Sequence, residues 1–186
     1  MAAQRVLVLA SGGIDSAACL VYYVEMGYDV EAMFIDYGHP AGSIERKHVQ
    51  QQCQRYRVPL STLTLRGATI SYPGEIRGRN AFLIIAALMA KPAFSGLISL
   101  GIHGGSPYYD CGTRFLQMMK ELVADYSEGA IQLDLPWIEI DKRAVFEYCS
   151  SHDVPLELTY SCEMGTVPPC GRCSSCKDRL ALGLNP

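Results

Sequence analysis

No stretch of this 186-residue chain is dense in lysine and arginine, and its 16 basic residues are outnumbered by 19 acidic ones for a net charge of −3. Neutralising a phosphate backbone takes clustered cations, so nucleic acid is not the expected partner. Long apolar runs are equally scarce. The longest, Ala81 to Ala90, is too short to cross a bilayer and reads as a buried helix. The chain opens without the basic, apolar and small-residue progression of a secretory signal, since its first apolar run turns polar by Ser11. These absences predict a cytoplasmic protein with no membrane partner. No Gly-Lys-Ser/Thr triplet follows the glycine-rich turn near the start, which excludes a Walker A loop and its phosphate-gripping lysine.

Hydrophobic residues make up 49% of the chain and its 17 glycines are spread along it, a composition that is globular rather than fibrous or disordered. The length suits one well-buried domain spanning 1–186, and no linker or internal repeat divides it. Strand and helix patterns alternate from the start. The spacing predicts strands over 5–10, 29–36, 60–65, 96–100 and 131–135 and helices over 15–26, 43–56, 81–91, 113–127 and 141–151, with a last short helix in the tail. Ser43 and Asn80 stand where helix caps are expected, and Pro92 ends the third helix. A Gly- and Arg-bearing loop fills 66–79. Such alternation predicts an α/β fold with a parallel, doubly wound five-stranded sheet and right-handed crossovers.

The first strand-to-helix corner carries Ser11-Gly12-Gly13-Ile14-Asp15-Ser16. Glycine has no Cβ to keep an anion away, and the free N–H groups opening the following helix point at whatever sits there, so phosphate is the expected occupant. A tight turn with Asp15 or Ser16 as a simple cap is the other reading of the same residues. In parallel sheets ligands gather beyond the carboxyl ends of the strands where the order reverses. That edge would assemble 11–16, 36–38 and 101–110, with Arg77-Gly78-Arg79-Asn80 closing over them.

Eight cysteines divide into two groups: Cys19, Cys53, Cys111 and Cys149 are scattered, whereas Cys162, Cys170, Cys173 and Cys176 fall together behind Pro168-Pro169. Two C-x2-C steps and a fourth thiol can close a tetrahedron about one ion, zinc first and an iron–sulfur cluster as the alternative. Four sulfurs leave no open position, which makes the expected role structural: a zinc-binding tail at 158–182 fastened to the domain.

The hexapeptide 11–16 resembles the signature of PP-loop ATP pyrophosphatases. With Phe34-Ile35-Asp36-Tyr37-Gly38, Gly78-Arg79-Asn80, Tyr108-Tyr109-Asp110-Cys111, Ile140-Asp141-Lys142 and Leu158-Thr159-Tyr160-Ser161-Cys162 leading into the cysteine cluster, nearly the whole chain resembles the 7-cyano-7-deazaguanine synthase family of queuosine biosynthesis. The resemblance implies an adenine-nucleotide α-hydrolase-like (PP-loop) fold and an ATP-dependent ligase. That enzyme would activate the carboxylate of 7-carboxy-7-deazaguanine as an acyl-adenylate, take ammonia to the amide, and activate the amide again to the nitrile. It implies ATP with Mg²⁺ and a structural zinc. Ser11, Gly12, Gly13, Asp15 and Ser16 would bind the pyrophosphate, with Asp15 on the metal ion and Tyr37 and Gly101 beside the nucleotide. Arg77, Arg79, Asn80, Tyr109 and Asp110 are the candidates for the deazaguanine, an arginine forking onto a carboxylate or phosphate and Asp110 accepting from an N–H edge. Lys142 would meet a phosphate and complete a catalytic set with Asp15 and Ser16; a place in the first turn of its helix is its plainer role. His103, at a strand end, is a candidate base, and Cys111 a buried thiol.

The chain departs from that family's pattern. The segment from the third strand to Gly78 is shorter, Gly112 replaces the expected basic residue with Arg114 two places on, and the gap from Cys162 to Cys170 is one residue short. A reduced lid opens the adenylate to water or to a larger nucleophile. A second expectation follows: coupling to an amine of a partner polypeptide, as in relatives associated with antiviral defence. A homodimer is an admissible assembly. Sulfur transfer to transfer RNA through a cysteine, and a non-catalytic zinc-stapled module, complete the alternatives.

Overall fold

A computed structural model describes residues 3–67 and 75–186 of the chain. Five strands, β1 (Arg5–Leu9), β2 (Asp29–Asp36), β3 (Leu60–Thr64), β4 (Gly96–Leu100) and β5 (Ile131–Asp134), form one sheet in the order β3-β2-β1-β4-β5. Every pairing is parallel. Six helices accompany them: α1 (Ile14–Glu25), α2 (Gly42–Tyr56), α3 (Arg79–Ala90), α4 (Thr113–Tyr126), α5 (Lys142–Ser151) and α6 (Ser174–Ala181). This is the doubly wound α/β, PP-loop-type architecture expected. Winding reverses at β1, whose two neighbours are β2 and β4, so the crevice of the switch point opens beside the end of β1.

The period of two along the central strands divides the core. On β1, Val6 and Val8 join Ala32 and Phe34 of β2 against α1, whereas Leu7 and Leu9 join Met33 and Ile35 against Ile84 and Ala87 of α3. Val6, Leu7 and Val8 are fully buried. Removing such a side chain to Ala costs about 2–5 kcal/mol. A strand buried on both faces reads as a continuous apolar run, and β1 does.

Three local expectations are corrected. Ser43 is inside α2, whose N-cap is Ala41 with no side-chain bond. Asn80 is the second residue of α3; Gly78, at φ 74°, takes the N-cap position, and the Asn80 side chain reaches a distant loop instead. The apolar run 81–90 is not buried all round, because Phe82 and Met89 face outward on α3. Of the loop at 66–79, residues 68–74 lie outside the described residues.

Candidate functional site

The corner after β1 is set by what presses on it. Gly12 has φ +79°, and a Cβ there would stand 2.9 Å from the Glu45 carbonyl oxygen. Gly13 takes the N-cap position of α1 in extended conformation, and no side chain caps the helix. The cap reading of Asp15 and Ser16 therefore gives way: the Ser16 hydroxyl accepts from the Ser11 N–H at 2.9 Å, folding the corner on itself. The opening N–H groups of α1 are left to a ligand. From the other side β4 delivers Gly101, where a Cβ would come within 2.4 Å of the Asp15 carbonyl. Only a glycine lets the end of β4 meet the first turn of α1 this closely.

Asp15 is the charged group of the corner. One of its oxygens accepts from the Lys142 ammonium at 2.6 Å, and the other, Oδ1, is buried with no partner among the described residues. Asp141 caps α5 by accepting from the Ala144 N–H at 2.9 Å, so Lys142 is the first helical residue and is aimed across at α1. The Trp137 indole N–H donates to the Asp15 carbonyl at 3.2 Å, pinning the same residue from behind.

The corner faces a cavity of about 600 Å³ at the carboxyl edge of the sheet. Tyr37 and His39, past the end of β2, form one wall as stacked rings 4.1 Å apart. Burial raises the Tyr37 hydroxyl above its usual range, and the nearby Arg79 guanidinium partly offsets this. Arg79 and Asn80, opening α3, join Asp110 on a second wall. Asp110 accepts from the Asn80 backbone N–H at 3.2 Å, while its own carbonyl accepts from the Asn80 side-chain amide at 3.0 Å. Asp110 is thus no cap for α4; Gly112 holds that position. It is a buried carboxylate with no paired cation among the described residues, and its spare lone pairs suit the N–H edge of a ligand. His103, past β4, accepts the Gly105 N–H on Nδ1 at 3.2 Å, which in the neutral ring leaves the proton on Nε2. It presents a donor rather than the base the sequence suggests.

The tail forms the remaining wall. The Tyr160 N–H donates to the Gly12 carbonyl at 3.0 Å, and Gln52 bridges Gly12 and Leu158 through its side-chain amide. Tyr160, Ser161, Glu163, Asp178 and Arg179 all line the cavity. A Cβ on Gly165 would lie 2.2 Å from the Pro40 carbonyl, so the tail is packed onto the turn beyond β2 as well. Behind this wall the sulfurs of Cys162, Cys170, Cys173 and Cys176 lie within 4.8 Å of one another. A tetrahedral ion with bonds of about 2.3 Å needs sulfurs about 3.8 Å apart, so the set fits one ion with little movement. Backbone N–H groups of Cys170 and Cys173 point at the sulfurs of Cys162 and Cys170. Burial opposes ionisation of Cys162, yet hydrogen bonds from Cys170, Met164 and Thr166 outweigh it and bring the thiol down to about 5. Such donors favour thiolates, the form that binds metal.

The structure brings Ser11, Gly13, Asp15, Ser16, Tyr37, Arg79, Asn80, Gly101, Asp110 and Lys142 to this one cavity. Gly12 sits just behind, its carbonyl used by the tail. Two candidates stand apart. Arg77 is exposed and off the cavity wall, and Tyr109 is 59% exposed with its hydroxyl donating to the Met118 sulfur. His39, Glu45 and the residues of the tail wall join the site without having been named as site residues, although Tyr160 and Ser161 belong to the quoted motif 158–162. The only sequence signal for them was adjacency: His39 follows Tyr37-Gly38, and Ser161 precedes Cys162.

The family model described as queuosine biosynthesis protein QueC matches residues 5–71 and 72–184. The chain is 28% identical over 209 residues to the 7-cyano-7-deazaguanine synthase of Campylobacter jejuni, covering 95% of this chain and 92% of that protein. It is 30% identical over 206 residues to the 7-cyano-7-deazaguanine synthase of a Sulfurihydrogenibium species, with coverage of 95% and 92%. Among solved structures, the NMN synthetase of Francisella tularensis superposes with a TM-score of 0.58 at 18% identity, over 100% of this chain and 79% of that one. At that identity the likeness is one of fold.

Proposed function

We propose that this chain, which belongs to the queuosine biosynthesis protein QueC family, is an ATP-dependent carbon–nitrogen ligase acting on 7-carboxy-7-deazaguanine. A carboxylate is a poor electrophile. Attack of its oxygen on the α-phosphorus of ATP breaks the bond to pyrophosphate and gives an acyl-adenylate; ammonia then forms the C–N bond, AMP leaves with the carboxyl oxygen, and a proton is released. A second ATP used on the amide oxygen carries that oxygen away on AMP and leaves the nitrile.

The observation that carries this reading is the shared cavity of a glycine corner shaped for phosphates and a buried carboxylate, Asp110, shaped for an N–H edge. Ser11, Gly13 and Ser16 supply donors to the departing pyrophosphate, and Lys142 adds a positive charge beside it. Asp15, with one oxygen buried and unpartnered, is the residue fitted to hold Mg²⁺, which supplies neutralisation of the charge that builds on pyrophosphate. Arg79 and Asn80 orient the substrate opposite that corner. The four cysteines would hold zinc in a closed shell and keep the tail wall in place. None of the eight thiols is in a disulfide, which suits a reducing cytoplasm. No helix among the described residues is long and apolar enough to cross a membrane.

The test is mass spectrometry of products after incubation with ATP, 7-carboxy-7-deazaguanine and ammonia. Amide or nitrile with AMP and pyrophosphate is expected; absence of both AMP and pyrophosphate would overturn the reading. A second acceptor, an amine on a partner polypeptide, draws support from the short connection between β3 and α3, where the two matched stretches of the family model meet at 71 and 72. Deazaguanine mass on a protein, with no free amide, would favour it.

A further inference from the structure

The two nitrogens of His39 have unequal surroundings. Nε2 lies 2.7 Å from a Glu45 carboxylate oxygen, and a carboxylate only accepts, so Nε2 carries the ring proton. Nδ1 is then an acceptor. It is buried and has no partner among the described residues, in a side chain only 7% exposed. The ring is also fixed. Asp36 accepts from the Gly38 N–H at 3.1 Å and from Arg46 at 3.0 Å, and a Cβ on Gly42 would already stand 3.2 Å from His39 Cε1. The Glu45 backbone carbonyl lies against Gly12 of the glycine corner, and both Glu45 and His39 line the same cavity. Tyr37 stacks on the same ring at 18°, which holds the imidazole plane in place at the cavity wall.

We propose that His39 is a specificity-determining residue: its Nδ1, set as an acceptor by Glu45, takes an N–H from the exocyclic amine of the bound purine nucleotide and so favours a 6-amino over a 6-keto base. The inference rests on the reading that the cavity binds ATP, and it adds what distinguishes ATP from its neighbours. A 6-keto base presents a second acceptor to Nδ1, and two lone pairs facing one another in a buried site are unfavourable.

The experiment is equilibrium binding of ATP, ITP and 2′-deoxyATP to the full chain at about pH 8, above the range in which imidazoles take up a second proton. Wild type is expected to hold ATP about tenfold more tightly than ITP, with 2′-deoxyATP close to ATP. Glu45→Gln keeps the size of the partner but lets an amide N–H2 face Nε2, moving the ring proton to Nδ1; the preference should fall or reverse toward ITP. His39→Ala should bring the ratio close to one. A purely structural role would lower both affinities and leave their ratio alone. An unchanged ratio in both variants overturns the proposal while ATP binding stands. A penalty for 2′-deoxyATP that vanishes in His39→Ala also overturns it, because the donor would then be a ribose hydroxyl. Failure of wild type to bind any of the three would remove the ATP reading and this inference together.

Discussion

Lys142 and Asp15, 127 residues apart, meet at 2.6 Å because the first residues of α5 and α1 are aimed at each other across the end of the sheet. The lysine holds the carboxylate in place before any nucleotide arrives. As a part-buried ion pair it contributes about 1 kcal/mol to stability, so its removal should leave the fold standing. Asp15→Ala is expected to reduce ATP–pyrophosphate exchange to background and Lys142→Ala to lower it about 10²–10³-fold, with urea midpoints close to wild type. Full exchange by Asp15→Ala would remove the metal role assigned to that residue.

Gly101 and Gly112 make a matched pair of probes. Gly101→Ala drives a methyl group into the Asp15 carbonyl and should displace the start of α1, costing about 1–3 kcal/mol and most of the nucleotide affinity. Gly112→Ala meets nothing closer than 3.5 Å and should change stability by no more than about 0.5 kcal/mol. Equal effects of the two in thermal melts would show that Gly101 and the first turn of α1 are not in the contact described.

A metal held by the four thiols, once removed, should be missed at the glycine corner as well as in the tail. Tyr160 and Gly165 hold Gly12 and Pro40, and both lie on the segment that the four sulfurs tie down. Chelation, or Cys176→Ser, is therefore expected to lower both the melting temperature and the affinity for ATP, with faster amide exchange over 11–16. A metal-free chain that binds ATP as tightly as before would uncouple the cluster from the site.

Glu31 gives a pH signature away from the site. Hydrogen bonds from Lys91 and Arg5, at 2.8 and 2.6 Å, hold its carboxyl below the usual 4.5. With the folded pKa depressed, its contribution is complete above the unfolded value and disappears as pH falls through the folded one. Wild type should be more stable than Glu31→Gln at neutral pH, and the gap should close as the pH drops below about 4. A gap that persists in acid would mean that packing, not charge, separates them.

Legibility in the sequence followed the range of the interactions involved. Strands 29–36 and 96–100 were readable to the residue because both faces are buried and the apolar run ends at polar turns. The corner at 11–16 was readable because its glycines answer contacts on either side of one turn. Asn80 and Asp110 were both named as candidates for the substrate, Asn80 also as a cap; that each serves the other across 30 residues is a pairing that no local pattern encodes. Tyr109 and Asp110 are adjacent, and a tight 3-10 turn sends one outward and the other in. The cysteine spacing disclosed a four-thiol cluster able to hold a metal ion but not that its loop would wall the cavity, since that depends on Gly165 lying flat against Pro40.

That clasp between the tail and the first corner also orders events during synthesis. The β1 corner is synthesised before the wall that braces Gly12, which is made of residues 158–179. A nascent chain can pair its sheet and still lack a finished nucleotide pocket. Pairing of the sheet and closing of the cavity are therefore separable events, the second waiting for 158–179 to dock.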